Sequence, residues 1–212
     1  GELVKKNGAL YLVDSVTSLG GIEVSMDKWS IDAIYSGTQK CLSCPPGLSP
    51  VSFSSNAVKK LVSRKTKVPN WYLDLSMITE YWSGKERLYH HTAPINMLYG
   101  LYQACYSILE EGLKNVIDRH KKIHLLLVSE LKSLGLDLLV EKNVRLPMLN
   151  AVIIPKNIND GIVRSRLLKE YHIEIGGGLG PLSGKIWRIG LMGESCKKEN
   201  VLKLISAFKK IL

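Results

Sequence analysis

The sequence lacks an apolar run long enough to cross a membrane, and its first residues lack the layout of a secretory signal peptide. It also contains no internal repeat and no low-complexity tract. These absences argue against a membrane protein or a repeat protein. With 45% hydrophobic and 23% charged residues, the 212 residues predict a globular chain of one large domain or one and a half ordinary ones.

Cysteine is scarce, and its spacing fits neither a zinc site nor a redox centre. Cys41 and Cys44 form a C-x-x-C pair, and the sequence has no second pair to complete a zinc site. A redox pair is expected to open a helix after a strand, whereas Pro45 and Pro46 follow this one. We therefore predict free thiols and a reducing compartment.

Positive charge is abundant, with a net charge of +10, but the motifs that read nucleic acids are missing. The sequence has no RNA-binding aromatic motif and no helix-turn-helix pattern. Lysine and arginine are spread along the whole chain, which favours solvated helix faces and some anion-binding sites. We predict no nucleic-acid partner.

The histidines do not show the spacing of a metal site. His90 and His91 are adjacent and are predicted to point in different directions. His120 and His124 are four residues apart but lack the glutamate of a metalloprotease helix, so we expect solvent-facing structural roles for them. No metal is predicted.

Hydrophobic periodicity predicts alternating strands and helices in the first half of the chain. Residues 9–16 and 31–37 are near-continuous apolar runs, typical of parallel strands buried on both faces, and residues 49–54 read as a third strand. A short amphipathic helix over 56–65 follows. Residues 65–91 are predicted to be irregular.

Two long helices follow, and then the composition changes. The first covers 92–112, with Thr92 as its cap and Gly112 as its end, and the second covers 113–134, with Gly135 as its stop. The remaining residues form short elements, with strands at 136–140, 149–155, 172–177 and 185–193 and helices at 161–171 and 198–212. The fold class is therefore α/β. We predict a partial large domain with a mostly parallel sheet at 1–112 and a small carboxyl-terminal α/β domain at 113–212.

One carboxylate and one lysine stand at the ends of predicted neighbouring strands. Asp14 ends the first apolar run, and Lys40 follows the second, directly after the small and polar residues Ser36 to Gln39. In open α/β sheets, ligands bind at the carboxyl ends of the strands. A lysine amine and an aspartate in this arrangement are the minimal requirement for pyridoxal phosphate, since the lysine can form a Schiff base and the aspartate can pair with the pyridinium nitrogen. An unpaired carboxylate here should face a cation.

Five segments together resemble the class V, fold-type I pyridoxal-phosphate aminotransferases, in the alanine–glyoxylate / serine–pyruvate branch. The segments occur in the family's order and cover nearly the whole chain: "LVDSVTSLGG", "YSGTQKCLSCPPGLS", "YHHTAP", "IEIGGGLGP" and "WRIGLMG". The resemblance implies that about the amino-terminal half of the enzyme is absent here. That half would carry the ring-stacking aromatic residue and a phosphate-holding Gly-rich loop.

The resemblance also implies roles for the residues near Lys40. Lys40 would be the Schiff-base lysine and the base that moves the substrate proton. Asp14 would bind the pyridinium nitrogen, Val16 would pack against the ring face, and Gln39 would bond the cofactor phosphate.

Two further roles concern the partner subunit and the substrate. Tyr89 and Thr92 would reach the phosphate in the neighbouring subunit, so the resemblance implies a homodimer with a shared active site. Arg188 would bind the carboxylate of a small amino acid or 2-oxo acid. Arginine suits this role because its planar, two-pronged donor matches a carboxylate.

Other enzymes similar to this family differ from the transaminase interpretation in the residue before the lysine or in their substrate. Cysteine desulfurases and kynureninases usually carry a histidine directly before the lysine, where this chain has Gln39, which favours transamination. A 3-hydroxykynurenine transaminase of the same branch stays open, because part of the pocket belongs to the missing half. An inactive fragment also stays open. Relatives occur in peroxisomes and mitochondria, which are the implied locations, and the cytosol remains possible.

Overall fold

Helices form most of the regular structure in the computed structural model, which describes residues 1–83, 86 and 88–212. The α-helices, in chain order, are α1 (Glu2–Lys6), α2 (Ser55–Val62), α3 (Leu75–Ser83), α4 (Ile95–Glu111), α5 (Leu113–Ser133), α6 (Asp160–Tyr171) and α7 (Lys198–Ile211). Short 3-10 helices lie at Trp71–Leu73, Lys142–Val144, Gly180–Leu182 and Gly193–Ser195.

The first sheet places two strand ends at one edge. Its strands are β1 (Leu12–Asp14), β2 (Ala33–Tyr35) and β3 (Val51–Phe53), paired in that order. β1 runs parallel to β2, with Asp14 opposite Tyr35. β3 runs antiparallel to β2, as often occurs on one side of an otherwise parallel sheet. The chain therefore leaves β1 and β2 at the same edge.

These strands are shorter and more exposed than their composition predicts. Leu12, in β1, is 65% exposed, so the prediction that this strand is buried on both faces is wrong for the described structure. The physical reason is that the described elements leave this part of the strand uncovered. A continuous apolar run indicates a strand that is buried in the complete fold, but it does not indicate which element covers the strand.

The segment 65–91, predicted to be irregular, is partly helical. The side chain of Asn70 accepts a hydrogen bond from the backbone N–H of Tyr72 and caps the 3-10 helix that starts at Trp71. Asp74 accepts one from the N–H of Ser76 in the first turn of α3. Side-chain caps of this kind stabilise helix starts, and they explain why the segment folds. Residues 84, 85 and 87 of this segment lie outside the described residues.

The two long helices follow the prediction except at one cap. α4 ends at Gly112 (φ 84°), and Gly135 (φ 72°) follows the end of α5, so both predicted glycine stops are confirmed. Thr92 is not the cap of α4, because the helix starts after Pro94 without a side-chain cap. The hydroxyl of Thr92 is bonded to Tyr89 instead.

The second sheet is antiparallel and carries the main core. β4 (Leu149–Ile153) pairs with β6 (Ile186–Gly190), which also pairs with β5 (Gly176–Gly177), so β6 is central. The predicted strand at 136–140 is reduced to an isolated bridge between Leu138 and Val152. The predicted division into 1–112 and 113–212 stays a prediction.

The core of this second sheet is built from apolar side chains of α5, α6, α7 and the strands. Trp187 stacks on Phe208 with ring centroids 5.3 Å apart, and both rings are completely buried. The indole N–H of Trp187 donates to Asp160 at 3.1 Å, so its one polar atom is satisfied. Arg188 follows Trp187 directly, and the core therefore fixes the strand that carries it.

Leu127→Ala should destabilise the protein strongly, whereas Leu125→Ala on the same helix should not. Leu127 is 0% exposed in the core and Leu125 is 53% exposed. Removing the buried side chain should cost about 2–5 kcal/mol of unfolding free energy, and removing the exposed one less than about 0.5 kcal/mol. Urea unfolding followed by circular dichroism measures both values. Equal losses would contradict the packing described for α5.

Candidate functional site

Two donors hold the carboxylate of Asp14 at the end of β1. The backbone N–H of Val16 donates to Oδ1 at 2.8 Å, and the Tyr35 hydroxyl donates to Oδ2 at 2.9 Å. The bond to Asp14 raises the pKa of Tyr35, because it stabilises the protonated phenol. The ion pairs found in the described part of the chain do not include Asp14. The cation predicted to face it therefore stays a prediction.

Serine hydroxyls join the two strand ends where the ladder stops. Ser15 Oγ donates to the Tyr35 carbonyl at 2.7 Å, and Ser36 Oγ donates to the Ser15 carbonyl at 3.1 Å. Ser49 Oγ donates to the Ser36 carbonyl at 2.8 Å. Backbone carbonyls that leave a sheet need such partners when they are buried. The small residues before Lys40 thus satisfy and fix this edge of the sheet.

Lys40 lies in a turn whose backbone is tied at several points. The N–H of Ser43 donates to the Lys40 carbonyl at 3.0 Å, and the N–H of Cys44 donates to the Thr38 carbonyl at 3.0 Å. The hydroxyl of Thr38, which is fully buried, donates to the Pro45 carbonyl at 3.0 Å. These bonds fix the direction in which the lysine leaves the turn.

The amine of Lys40 is free, although its backbone is fixed. The side chain is partly buried, and within residues 1–83, 86 and 88–212 its Nζ atom makes no hydrogen bond or ion pair. A lysine that forms a Schiff base must present its amine to a carbonyl carbon. No partner among the described residues occupies the Lys40 amine.

Gly37 brings Val16 and Gln39 together next to Lys40. A Cβ atom on Gly37 would lie 2.8 Å from Gln39 Oε1 and 3.3 Å from Val16 Cγ1. A methyl group would therefore fill the space between these two side chains. The structure thus places two residues predicted to contact a cofactor on either side of a gap that the glycine leaves open.

Tyr89 and Thr92 lie on the surface and bind each other. The two hydroxyl oxygens are 2.6 Å apart, and Tyr89 is 74% exposed. Tyr89 and Thr92 lie six and three residues before the start of α4. One hydroxyl donates to the other here, which leaves one O–H free, and an anion that displaces this bond could accept from both.

The neighbouring histidines face each other, so the prediction that they point apart is wrong. Nδ1 of His90 and Nδ1 of His91 are 2.7 Å apart. Nε2 of His90 lies 3.1 Å from the Trp71 carbonyl, which can only accept, and it therefore carries a proton. The physical reason for the close approach is the hydrogen bond from His90 Nε2 to the Trp71 carbonyl, which fixes the orientation of the His90 ring.

Arg188 is held on the central strand with part of its guanidinium free. Its Nε donates to the Gly177 carbonyl at 2.7 Å. A Cβ on Gly176 would lie 3.2 Å from Nη2, so the glycine leaves room for the side chain. The other two nitrogens of Arg188, Nη1 and Nη2, have no hydrogen-bond partner among the described residues. One fixed nitrogen and two free ones present a donor pair that matches a carboxylate.

The positions of His120 and His124 correct the prediction that they face solvent. His120 is 0% exposed and His124 is 7% exposed, and burial lowers the pKa of both imidazoles. Nδ1 of His124 bonds the side chain of Asn150 at 2.7 Å. The apolar spacing of Val116 and Leu127 on α5 includes His120 and could have shown its burial.

The other signals in the sequence do not form a site in the described part of the chain. No group of three or more metal-binding side chains converges among the described residues. The cysteines are free, and burial raises the pKa of Cys41 to about 11, which makes it an unreactive thiol. None of the described helices is both long enough and apolar enough to cross a membrane.

Comparison with known proteins gives a consistent family match. The sequence model of the family described as Aminotransferase class-V matches residues 1–188. (S)-ureidoglycine–glyoxylate transaminase of Bacillus subtilis is 38% identical over 230 residues, which cover 100% of this chain and 55% of that protein. Alanine–glyoxylate aminotransferase of Oryctolagus cuniculus is 40% identical over 215 residues, with the same coverage.

Solved structures share the fold as well as the sequence. The crystal structure of alanine–glyoxylate aminotransferase from Nostoc sp. superposes with a TM-score of 0.96 at 50% identity, covering 99% of this chain and 55% of that chain. The predicted α/β fold of the fold-type I aminotransferases is therefore confirmed. The chain spans about half the length of the curated relatives it matches.

Proposed function

Because the chain belongs to the class-V aminotransferase family, we propose that it forms the lysine-bearing part of a pyridoxal-phosphate-dependent transaminase. The observation that supports this proposal is the tied turn at Lys40, which carries a free amine five residues after β2, whose carboxyl end lies beside that of β1 and Asp14. Pyridoxal phosphate, when bound, supplies an electron-withdrawing ring that stabilises negative charge on the α-carbon of an amino acid.

The residues of this edge fit the cofactor. Lys40 would hold its aldehyde carbon and move the proton of the substrate α-carbon. Asp14 has a carboxylate that can accept the ring N–H and keep it protonated. Val16 would cover a ring face beside the gap at Gly37, and Gln39 would donate its amide to the phosphate.

The proposed substrates are a small amino acid, alanine or serine, and a small 2-oxo acid, glyoxylate or pyruvate. Two of the relatives are named for alanine and glyoxylate, which supports this class of substrates. Every such substrate has a carboxylate, which Arg188 would bind with its two free nitrogens.

The direct test is an amino-transfer assay on the intact protein. With pyridoxal phosphate, alanine and glyoxylate should give pyruvate and glycine, measured by chromatography. Serine and pyruvate should give hydroxypyruvate and alanine. A folded intact protein that transfers no amino group from either donor would overturn the proposed function.

We also propose that the protein works as a homodimer. α4 presents an exposed apolar face whose residues recur at i, i+3, i+4, i+7, i+11 and i+14: Ile95, Leu98, Tyr99, Tyr102, Tyr106 and Leu109. An exposed apolar patch of this kind marks an interaction surface. It starts three residues after Thr92, so a second copy on this face would receive the hydroxyls of Tyr89 and Thr92 near its own cofactor.

Mixing two inactive variants should restore activity if the site is shared between subunits. One chain carries Lys40→Ala, and the other carries Tyr89→Phe and Thr92→Ala. In the mixed dimer, one site combines the intact Lys40 of the second chain with the intact hydroxyls of the first. Random mixing should recover about a quarter of the wild-type sites, since half of the dimers carry one complete site.

Each phosphate hydrogen bond is worth about 1.5–3 kcal/mol, so the hydroxyl variant, which loses two such bonds, should bind the cofactor about 10²-fold or more weakly. Two differently tagged Lys40→Ala chains serve as the control, and they should recover no activity. If tagged mixed dimers form and still show no recovery, Tyr89 and Thr92 do not serve the partner subunit.

A further inference from the structure

The turn that carries Lys40 is joined directly to the turn that follows β6. Ser43 Oγ accepts a hydrogen bond from the backbone N–H of Glu194 at 2.8 Å. Gly193 has φ 55°, and a Cβ on it would lie 1.8 Å from Ser43 Oγ and 2.7 Å from the Cys41 carbonyl oxygen. A glycine at position 193 is therefore required for the two turns to approach this closely.

His120 holds Gly193 from the side of α5. Nδ1 of His120 lies 2.7 Å from the Val116 carbonyl, which can only accept, so Nδ1 carries the proton. Nε2 is then an acceptor, and the N–H of Gly193 donates to it at 3.0 Å. Burial lowers the pKa of His120, which keeps the ring neutral near pH 7, as this bond requires.

Arg119 fixes the carbonyl side of the same glycine. Its Nη1 donates to the Gly193 carbonyl at 2.8 Å and to the Cys196 carbonyl at 3.2 Å. Its Nε and Nη2 bind the two carboxylate oxygens of Glu111 at 2.6 and 2.8 Å. This two-pronged bond fixes the orientation of the Arg119 guanidinium. Gly193 is thus bonded through both its N–H and its carbonyl.

These contacts connect the turns that follow Lys40 and Arg188, the two side chains that bind the substrate in the proposed function. Ser43 is three residues after Lys40, and Gly193 is five residues after Arg188. We infer that a set of residues, here called the turn clamp, positions Lys40 relative to Arg188, an inference that rests on the proposed function. The turn clamp consists of Ser43, Arg119, His120, Gly193 and Glu194.

Transamination needs a set distance between the amine and the guanidinium. In an α-amino acid the carboxylate is bonded to the α-carbon, so Lys40 must reach that carbon while Arg188 holds the carboxylate. A misplacement on the order of 1 Å costs about 10²-fold in rate. Lys40 and Arg188 come from distant parts of the chain, and the turn clamp is the bonded link between their turns. A looser clamp should lower kcat more than it weakens substrate binding.

Ser43→Ala tests the turn clamp, with Ser133→Ala as the matched control. Ser43 is exposed, and its hydroxyl accepts from Glu194, whereas the exposed Ser133 hydroxyl only bonds Glu130 on its own helix. In the intact protein, Ser43→Ala should lower kcat about tenfold and change KM for alanine less than about threefold. Ser133→Ala should change neither value.

A second readout does not depend on the loaded enzyme. In the cofactor-free protein, the amides of Ser43 and Cys44 are bonded within the Lys40 turn, and Ser43→Ala should raise their hydrogen-exchange rates about tenfold. Mass spectrometry of a peptide covering 38–48 measures this exchange. Unchanged kcat and unchanged exchange in Ser43→Ala, or equal changes in Ser133→Ala, would refute the turn clamp.

His120 offers a rescue test. His120→Gln can place an amide oxygen near the position of Nε2 and accept from Gly193, whereas His120→Leu cannot. The glutamine variant should keep slow exchange and most of kcat, and the leucine variant should lose both. If the leucine variant does not fold, Ser43→Ala still decides. Failure of the proposed function would show as an absence of amino transfer in the wild type, while the exchange measurement would still report on the clamp.

Discussion

Lys40→Ala in the intact protein should abolish both amino transfer and covalent capture of pyridoxal phosphate. The amine of Lys40 would bind the aldehyde carbon and would also move the α-proton, so the variant loses a nucleophile and a base at once. Loss of a positioned base alone lowers rates by about 10²–10⁴-fold. The combined loss should bring the activity to the detection limit.

The covalent test is independent of turnover. Borohydride reduction of the protein with pyridoxal phosphate should fix a label on one lysine, and peptide mass spectrometry should locate it at Lys40. The visible absorbance of the complex should disappear in Lys40→Ala. Lys28→Ala is the control, because Lys28 is exposed and paired with Glu23. A label on a lysine other than Lys40 would show that the assignment is wrong.

The common edge at which β1 ends at Asp14 and β2 ends before the segment that leads to Lys40 could be predicted from the sequence, because the signals are local. An apolar run that stops at a carboxylate, and a second that stops before small residues and a lysine, indicate two strand ends. Strands β1 and β2 are parallel, so both ends lie at one edge. The stops at Gly112 and Gly135 were predictable for the same reason, since a left-handed glycine is a local feature.

The turn clamp could not be predicted, because it depends on contacts between distant residues. Ser43 and Glu194 are separated by 151 positions, and a serine in a polar turn gives no sign of such a partner. Tyr35 as the donor to Asp14 depends on strand register, which the pattern alone leaves undetermined. The burial of His120 was the exception, since its place in the apolar stripe of α5 was readable.

The exposure of some apolar side chains also could not be predicted from the sequence. Leu12 in β1 and Tyr99 in α4 are apolar in sequence and uncovered in the described structure. Exposed apolar surfaces of this kind mark interaction surfaces. In the proposed homodimer, a second copy of the chain would cover the face of α4. The fold of each element follows from its sequence, but the burial of its outer face does not.

Arg188→Leu should lower kcat/KM for alanine by about 10²–10³-fold, because it leaves the substrate carboxylate without its partner in a desolvated site. Arg188→Lys should fall between this variant and the wild type. Lysine keeps the positive charge, but it lacks the planar pair of donors and the Nε–H that binds the Gly177 carbonyl. Arg166→Leu serves as the control, because Arg166 pairs with Glu170 on the surface of α6.

An amine without a carboxylate separates substrate binding from a general disturbance of the fold. With isopropylamine as the amino donor, and with acetone release measured over a single turnover without a 2-oxo acid, wild type and Arg188→Leu should react at the same low rate, because that donor has no carboxylate for Arg188 to bind. The loss should therefore appear only for alanine and serine, and mainly in KM for the donor. An equal loss for both kinds of donor would mean that Arg188 supports the β6 strand and does not bind the substrate. An unchanged kcat/KM for alanine would remove Arg188 from the site altogether.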